Sequence, residues 1–174
     1  DWTHANGLSY SPDRGSYLMS LGHMDQVVEI DEYSGTLVAQ YGGSDVQYSV
    51  NTTPISFPHS PQWSREQNLM LTTTDGTTVA VEYAIDSETG VLTEVWSHGR
   101  AEALYSAALG EVQELRSGGH LVSFGMGGLV QELNAEGEVI WSLQGRAGKD
   151  RMTSIRLLNF REDGSGWGPA SGEQ

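Results

Sequence analysis

Three stretches of this chain repeat one rhythm of short apolar runs and glycine turns, and a tandem repeat of strands leaves few folds open. The first runs Leu18 to Gly22, then Gln26 to Asp31, a Ser34-Gly35 turn and Thr36 to Tyr41. The second runs Asn68 to Thr73, then Thr78 to Asp86, a Thr89-Gly90 turn and Val91 to Trp96. The third runs His120 to Gly125, then Gly128 to Asn134, a Glu136-Gly137 turn and Glu138 to Leu143. In each unit the last two runs read as a hairpin closed by an X-Gly pair that tolerates positive φ. A further short run precedes each unit: Gly7 to Tyr10, Ile55 to Pro58, and Glu111 to Leu115. Four strands recurring at roughly 50 residues is the period of a propeller blade.

The expected architecture is therefore an all-β propeller, with three four-stranded blades over about residues 5–42, 55–98 and 109–145. One closing strand is expected over 152–159 and a flexible tail over 161–174. That makes about thirteen strands. Closed propellers typically have four to eight blades, so three would leave two open sheet edges. Missing blades would come from a longer parent chain or a second protomer. Asp1 at the first position, where an initiator methionine would stand, points the same way, to a processed product or a piece of a longer chain. A two-sheet sandwich is the competing fold, and the tandem repeat argues against it. Arg100 to Leu104 has residues for one helical turn but reads as an inter-blade loop.

Charge and composition narrow the function. There are 23 acidic against nine basic residues, a net charge of −14, with Lys149 the single lysine. Such a surface repels a phosphate backbone and anionic lipid, which disfavours nucleic-acid binding and membrane binding. No stretch approaches the ~20 apolar residues that span a bilayer, so no membrane insertion is expected. With no cysteine, disulfides and thiolate metal sites are excluded. No segment has the oxygen-ligand spacing of a calcium loop. His4, His23 and His59 would lie on separate blades with nothing to fix them around zinc, so neither a metal nor a cofactor is expected.

The chemistry-bearing residues stand at strand starts. His4 and Asn6 stand just before the first inner strand, and His59 at the matching place in the second unit, where Gly110 falls in the third. Two imidazoles at one rim of a channel suit a nucleophile, a general base or an anion donor.

These residues also resemble a known family. The opening Asp1-Trp2-Thr3-His4-Ala5-Asn6, the Leu18 to His23 and Gln26 to Asp31 runs, Phe57-Pro58-His59-Ser60-Pro61, Tyr83 to Gly99 and Leu109 to Gln113 are similar to the arylsulfotransferase family, from Asp1 to about Phe160. The resemblance implies a six-bladed propeller of which this chain is the C-terminal half, exported to the periplasm or the extracellular space. It implies sulfuryl transfer from an aryl sulfate to a phenol through a covalent sulfohistidine. On it, His59 matches the nucleophile, and His4 and Asn6 match the family's His-x-Asn pair. The family usually carries Arg before the histidine of the second strand, where this chain has Gly22 before His23, so His23 is a candidate substitute. If the source glycosylates exported proteins, Asn51-Thr52-Thr53 is an acceptor sequon.

Other residues have plainer expectations. Trp2, Trp63, Trp96 and Trp141 are read as packing between blades, His98 as a surface or packing residue, and His120 as exposed. Asp25, Asp31 and Asp86 are read as turn caps. The alternative to an enzyme is a non-catalytic propeller module that binds or assembles through its open blade edges.

Overall fold

The computed structural model describes residues 2–44 and 47–145. The expected closing strand over 152–159 and tail over 161–174 lie outside the described residues. Among these residues, thirteen strands form three sheets. The first sheet is β1 (Ala5–Ser11), β2 (Ser16–Leu21), β3 (Gln26–Asp31) and β4 (Leu37–Gly42), in that order. The third is β10 (Gly110–Glu114), β11 (His120–Phe124), β12 (Leu129–Leu133) and β13 (Val139–Gln144), also in chain order. All neighbours within these two sheets are antiparallel.

The second sheet holds β6 (His59–Trp63), β7 (Leu69–Asp75), β8 (Thr77–Asp86) and β9 (Val91–His98) as an antiparallel meander. A fifth strand, β5 (Ser49–Val50), adds in parallel to β9 through Ser49 and Val50, opposite Val91 and Leu92. The connection between blades thus satisfies part of an otherwise unpaired outer edge, a pairing with no signature in the sequence.

Each outer hairpin closes as its residues dictate. The Asp31 carboxylate accepts the N–H groups of Tyr33 and Ser34 at 3.1 and 2.7 Å, and Asp86 accepts those of Glu88 and Thr89 at 2.9 and 3.1 Å. These are Asx turns. Asn134 does the same work in the third blade by accepting the Glu138 N–H at 2.8 Å. The turn glycines Gly35, Gly90 and Gly137 all take positive φ, at +66°, +70° and +83°.

Two cores hold the sheets together. Leu18, Val27, Ala39 and Tyr41 of the first sheet meet Leu69, Leu71, Val81 and Tyr83 of the second. The opposite face of the second sheet, through Met70 and Ala80, meets Val112, Val122, Phe124 and Leu133 of the third. The middle sheet is buried on both faces, so Leu69-Met70-Leu71 reads as a continuous apolar run in which alternate residues serve different cores. Each fully buried side chain of this size contributes about 1.5–3 kcal/mol.

Several expectations need correction. The inner strand of the second blade is not Ile55 to Pro58; it begins at His59, which pairs with Thr72. Ser56 N–H bonds the Thr73 hydroxyl at 2.8 Å in place of a ladder partner, and Phe57 turns left-handed at φ +44°. Pro58, with no N–H to donate, cannot restore the ladder. The register then slips between His59 and Gln62, with Ser60 at φ +48° and Pro61 on the inner edge, where its missing N–H is tolerated. Two single-turn 3-10 segments at the rim, Gly22–Met24 and Gly125–Gly127, were not expected.

His120 is not exposed. It is 8% accessible and stacks on Trp96 at 3.9 Å and 14°, with its Nε2 3.7 Å from a Glu82 carboxylate oxygen. Trp63 and Trp96 pack against the two cores, but Trp2 is 78% exposed and Trp141 lies on the all-exposed outermost strand. His98 is half-buried, with Nε2 at 2.7 Å from the Gln131 side-chain oxygen. Among the described residues no helix is long and apolar enough to cross a membrane.

The inner strands β1, β6 and β10 share a groove of about 1110 Å³ lined by Ser9, Gln62, Trp63 and Gln113 among others. Ser9 Oγ–H donates to the Pro61 carbonyl at 2.6 Å and fixes the first two inner strands side by side. The histidines gather at one end of these strands.

Candidate functional site

The site forms where the chain enters the first two blades. The residue ahead of each inner strand adopts a left-handed backbone: His4 at φ +51° before β1, Leu109 at +68° before β10, and Phe57 at +44° two residues before β6. The kink recurs in every blade, so it belongs to the architecture. What stands on it differs, and in the first two blades it carries rings.

The 3-10 turn after β2 folds back on the chain ahead of β1. Gly22 N–H donates to the His4 carbonyl at 3.0 Å, and His23 N–H donates to the Thr3 carbonyl at 3.2 Å. The His4 and His23 rings thereby stack, with centroids 4.7 Å apart and planes 27° from parallel. From the second blade, Phe57 inserts beside both, at 5.1 Å from His4 and 5.9 Å from His23. Its other neighbour is His59, at 5.3 Å. These separations are those of favourable ring contacts.

Gly22 is the floor of this cluster. A Cβ there would stand 3.0 Å from Asn6 Nδ2, 3.1 Å from His4 Cδ2 and 3.1 Å from Phe57 Cε2. Any side chain at this position would compete for space with the present seat of Phe57.

His59 is 5% exposed, and its Nδ1 lies 3.1 Å from the Phe57 carbonyl oxygen. A carbonyl only accepts, so this contact assigns the proton of the neutral ring to Nδ1 and leaves the lone pair on Nε2. Burial pushes its pKa below the ordinary histidine value, and the neighbouring His4 pushes the same way when charged, against the opposing bond to the Phe57 carbonyl. The lowered pKa favours the neutral imidazole, with the lone pair on Nε2.

Asn6 supplies a donor. Ser20 Oγ–H donates to Asn6 Oδ1 at 2.6 Å, which fixes the amide, and Nδ2 is buried with no hydrogen-bond partner. A buried unpaired N–H₂ costs free energy unless a ligand atom meets it. It lies beside the histidines and suits an anionic oxygen.

All four candidate residues, His4, Asn6, His23 and His59, are thus brought to one rim. His4 and His23 belong to one blade, not to separate blades as expected, because the turn after β2 folds back on the chain ahead of β1. Two further participants carry no obvious signal in the sequence. Phe57 contributes its carbonyl and its ring. Asp25 caps the Gly22–Met24 turn through its backbone N–H, as expected, and its side chain also reaches across the blade seam, where Oδ1 accepts the Phe57 N–H at 2.8 Å. Among the described residues no three His, Cys, Asp or Glu side chains converge as a metal-ligand set.

Comparison with known proteins adds a family and a fold. The family model of Arylsulfotransferase (ASST) matches residues 1–50 and 60–159. Those stretches include His4, Asn6 and His23 but stop on either side of 51–59, so the role of His59 rests on the geometry above. No curated protein matches the chain significantly. Among solved structures, a protein of unknown function from Bacteroides caccae is 18% identical with a TM-score of 0.53, over 84% of this chain and 52% of that one. A streptogramin B lyase structure is 14% identical with a TM-score of 0.57, over 95% of this chain and 47% of that one. The virginiamycin B lyase from Staphylococcus aureus is 13% identical with a TM-score of 0.55, over 96% of this chain and 49% of that one. These likenesses establish the propeller fold alone. The chain spans about half the length of each of these structures.

Proposed function

The chain belongs to the arylsulfotransferase family, and from that premise we propose that it transfers a sulfuryl group from an aryl sulfate to a phenolic acceptor through a sulfohistidine on His59. The observation that carries this reading is the buried His59 ring, with Nδ1 bonded to the Phe57 carbonyl and Nε2 left with its lone pair.

In the first step the Nε2 lone pair forms an N–S bond as the S–O bond to the aryl group breaks. The bonding pair leaves with the aryloxide, which takes a proton from water or a neighbouring imidazolium. The positive charge that develops on the ring is met through Nδ1–H by the Phe57 carbonyl. In the second step the acceptor's phenol oxygen attacks sulfur and gives its proton to water or to the neighbouring imidazole, the N–S pair returns to Nε2, and the free histidine is regenerated. Asn6 Nδ2, His4 and His23 surround the sulfuryl oxygens and stabilise their charge, in the place of the absent Arg.

Asn6→Ala removes one preorganised donor while Ser20 stays to fill its own bonds with water. Steady-state kinetics on the protein with a chromogenic aryl sulfate are expected to show kcat lowered about 10²- to 10³-fold, with a smaller change in donor KM. An unchanged kcat would remove Asn6 from the sulfuryl site.

Export to the periplasm or the extracellular space, with Asn51 as a glycan acceptor, belongs to the same proposal; Asn51 is exposed beside β9. A second reading, in which the blades serve assembly, draws on Leu8 at 68% and Tyr10 at 47% exposure on the first sheet. Those side chains suit a further blade from the parent chain or a second protomer. Light scattering over a concentration series is expected to show association that Leu8→Glu weakens; a monomer at every concentration would count against assembly.

A further inference from the structure

The geometry points to the Asp25–Phe57 tether as the positioning device that sets the tautomer of His59. Neither residue touches the sulfuryl group in the proposed reaction, and both act through the imidazole.

Phe57 sits in a conformation that a bulky L-residue disfavours, φ +44°, and the surroundings must offset that strain. The offset is visible on both sides. Ser56 is clamped by Thr73 and Thr74: its N–H bonds Thr73 Oγ1, and its carbonyl accepts the Thr74 N–H, each at 2.8 Å. The Phe57 N–H is then held by Asp25 Oδ1 at 2.8 Å, from the other blade. Asp25 is itself left-handed, at φ +52°, where it ends the Gly22–Met24 turn with its N–H on the Gly22 carbonyl. The same turn carries His23 and the glycine floor. One short segment of the first blade therefore fixes the peptide of Phe57 in the second.

The consequence falls on the carbonyl. Two residues on, His59 Nδ1 meets the Phe57 oxygen at 3.1 Å. A backbone that relaxed from the left-handed region at Phe57 would rotate that carbonyl off the ring, and Nδ1 would lose the acceptor that holds its proton. The imidazole would then populate both tautomers, and only one of them offers Nε2 as a nucleophile. The Phe57 ring has a separate task. It spaces His4 and His23 from His59 and fills the volume over Gly22.

The test reads the tautomer directly, by ¹⁵N-detected NMR of the histidine rings of the protein at one neutral pH, beside steady-state kinetics. The wild type is expected to show His59 as the Nδ1–H form. Asp25→Ala is expected to bring an Nε2–H population at His59 and to lower kcat roughly 10- to 100-fold, with donor KM near its original value. Asp25→Asn keeps the accepting oxygen and is expected to restore the wild-type tautomer. Phe57→Gly relieves the strain and is expected to keep the Nδ1–H form while shifting the His4 and His23 ring resonances.

An Nε2–H wild type would overturn the inference, and so would an Asp25→Ala protein with a native amide spectrum and an unchanged His59 tautomer. The kinetic arm rests on the proposed sulfuryl transfer, whereas the tautomer arm does not. A wild type without turnover but with the expected tautomer response sinks the function and leaves the tether standing.

Discussion

His59→Ala is expected to lower kcat/KM for aryl sulfate roughly 10⁴- to 10⁶-fold, the scale of losing a covalent nucleophile. The residual rate would come from the oxygen-binding groups that remain, Asn6, His4 and His23. Because the ring is buried, the substitution leaves a cavity, so the variant's thermal transition must be shown to be cooperative before the loss is read as chemical. External imidazole is expected to restore part of the rate to the alanine variant, since the cavity lies where the nucleophile stood. The pH profile adds a sign. The folded pKa of His59 lies below the free histidine value of about 6.5, so the neutral nucleophile survives acidification past that point. The acid limb of kcat/KM is expected below about pH 6.5. His4→Gln removes the Coulombic influence that lowers the His59 pKa, and it is expected to move that limb upward. A limb that ignores His4 would separate the two imidazoles.

The second large effect is on stability, at the seam between the first two blades. Glu29 is 2% exposed, and four bonds converge on it: Arg14 Nε at 2.9 Å and its second guanidinium nitrogen at 3.2 Å, Ser16 Oγ at 2.6 Å, and the Tyr41 hydroxyl at 2.8 Å. Arg14 lies over the Trp63 ring of the second blade at 4.1 Å. Glu29→Ala leaves buried hydroxyls unpaired and a guanidinium without its counter-ion, at a cost of about 3 kcal/mol. For a chain of this size that corresponds to a fall in Tm of roughly 6–12 °C. Glu29→Gln, which keeps an accepting oxygen, is expected to lose less.

Linkage gives the direction with pH. Burial alone would raise the Glu29 pKa, but bonds from Arg14, Ser16 and Tyr41 outweigh it and hold the carboxyl below its usual range. A depressed folded pKa stabilises above the unfolded value of about 4.3, and that contribution disappears as pH falls through the lower folded value. Denaturant midpoints of wild type and Glu29→Ala should therefore converge in acid. Parallel midpoints from neutral pH into that range would deny the carboxylate this role.

Much of the fold was legible because its punctuation is local. Asp31 with Gly35, Asp86 with Gly90, and Asn134 with Gly137 carry the turn chemistry in their own side chains, so the outer hairpins could be read off. The inner strand of the second blade was not legible. Ile55 and Phe57 look like strand residues, but Pro58 and a tertiary bond from Asp25 bend the backbone there, and nothing in residue type encodes that bend. His120 failed for a related reason. A Gly-Gly-His sequence suggests an exposed strand start, whereas Trp96 from the neighbouring blade covers the ring.

The site divides along the same line. His4, Asn6 and His59 were recognisable at matching places in the repeat and His23 only through the family resemblance, and the fold brings all four to one rim. Asp25 and Phe57 were not, because their parts depend on an inter-blade bond and on a carbonyl orientation. Gly22 stood out as a missing Arg; only packing shows that Phe57 fills the space.

The most direct measurement is the location of the sulfuryl group on the protein after reaction with an aryl sulfate in the absence of acceptor. Rapid quenching and peptide mapping by mass spectrometry are expected to find one sulfuryl group on His59, released when a phenol is added before the quench. A sulfuryl group on His4 or His23, or aryl sulfate consumed with no modified histidine, would contradict the account.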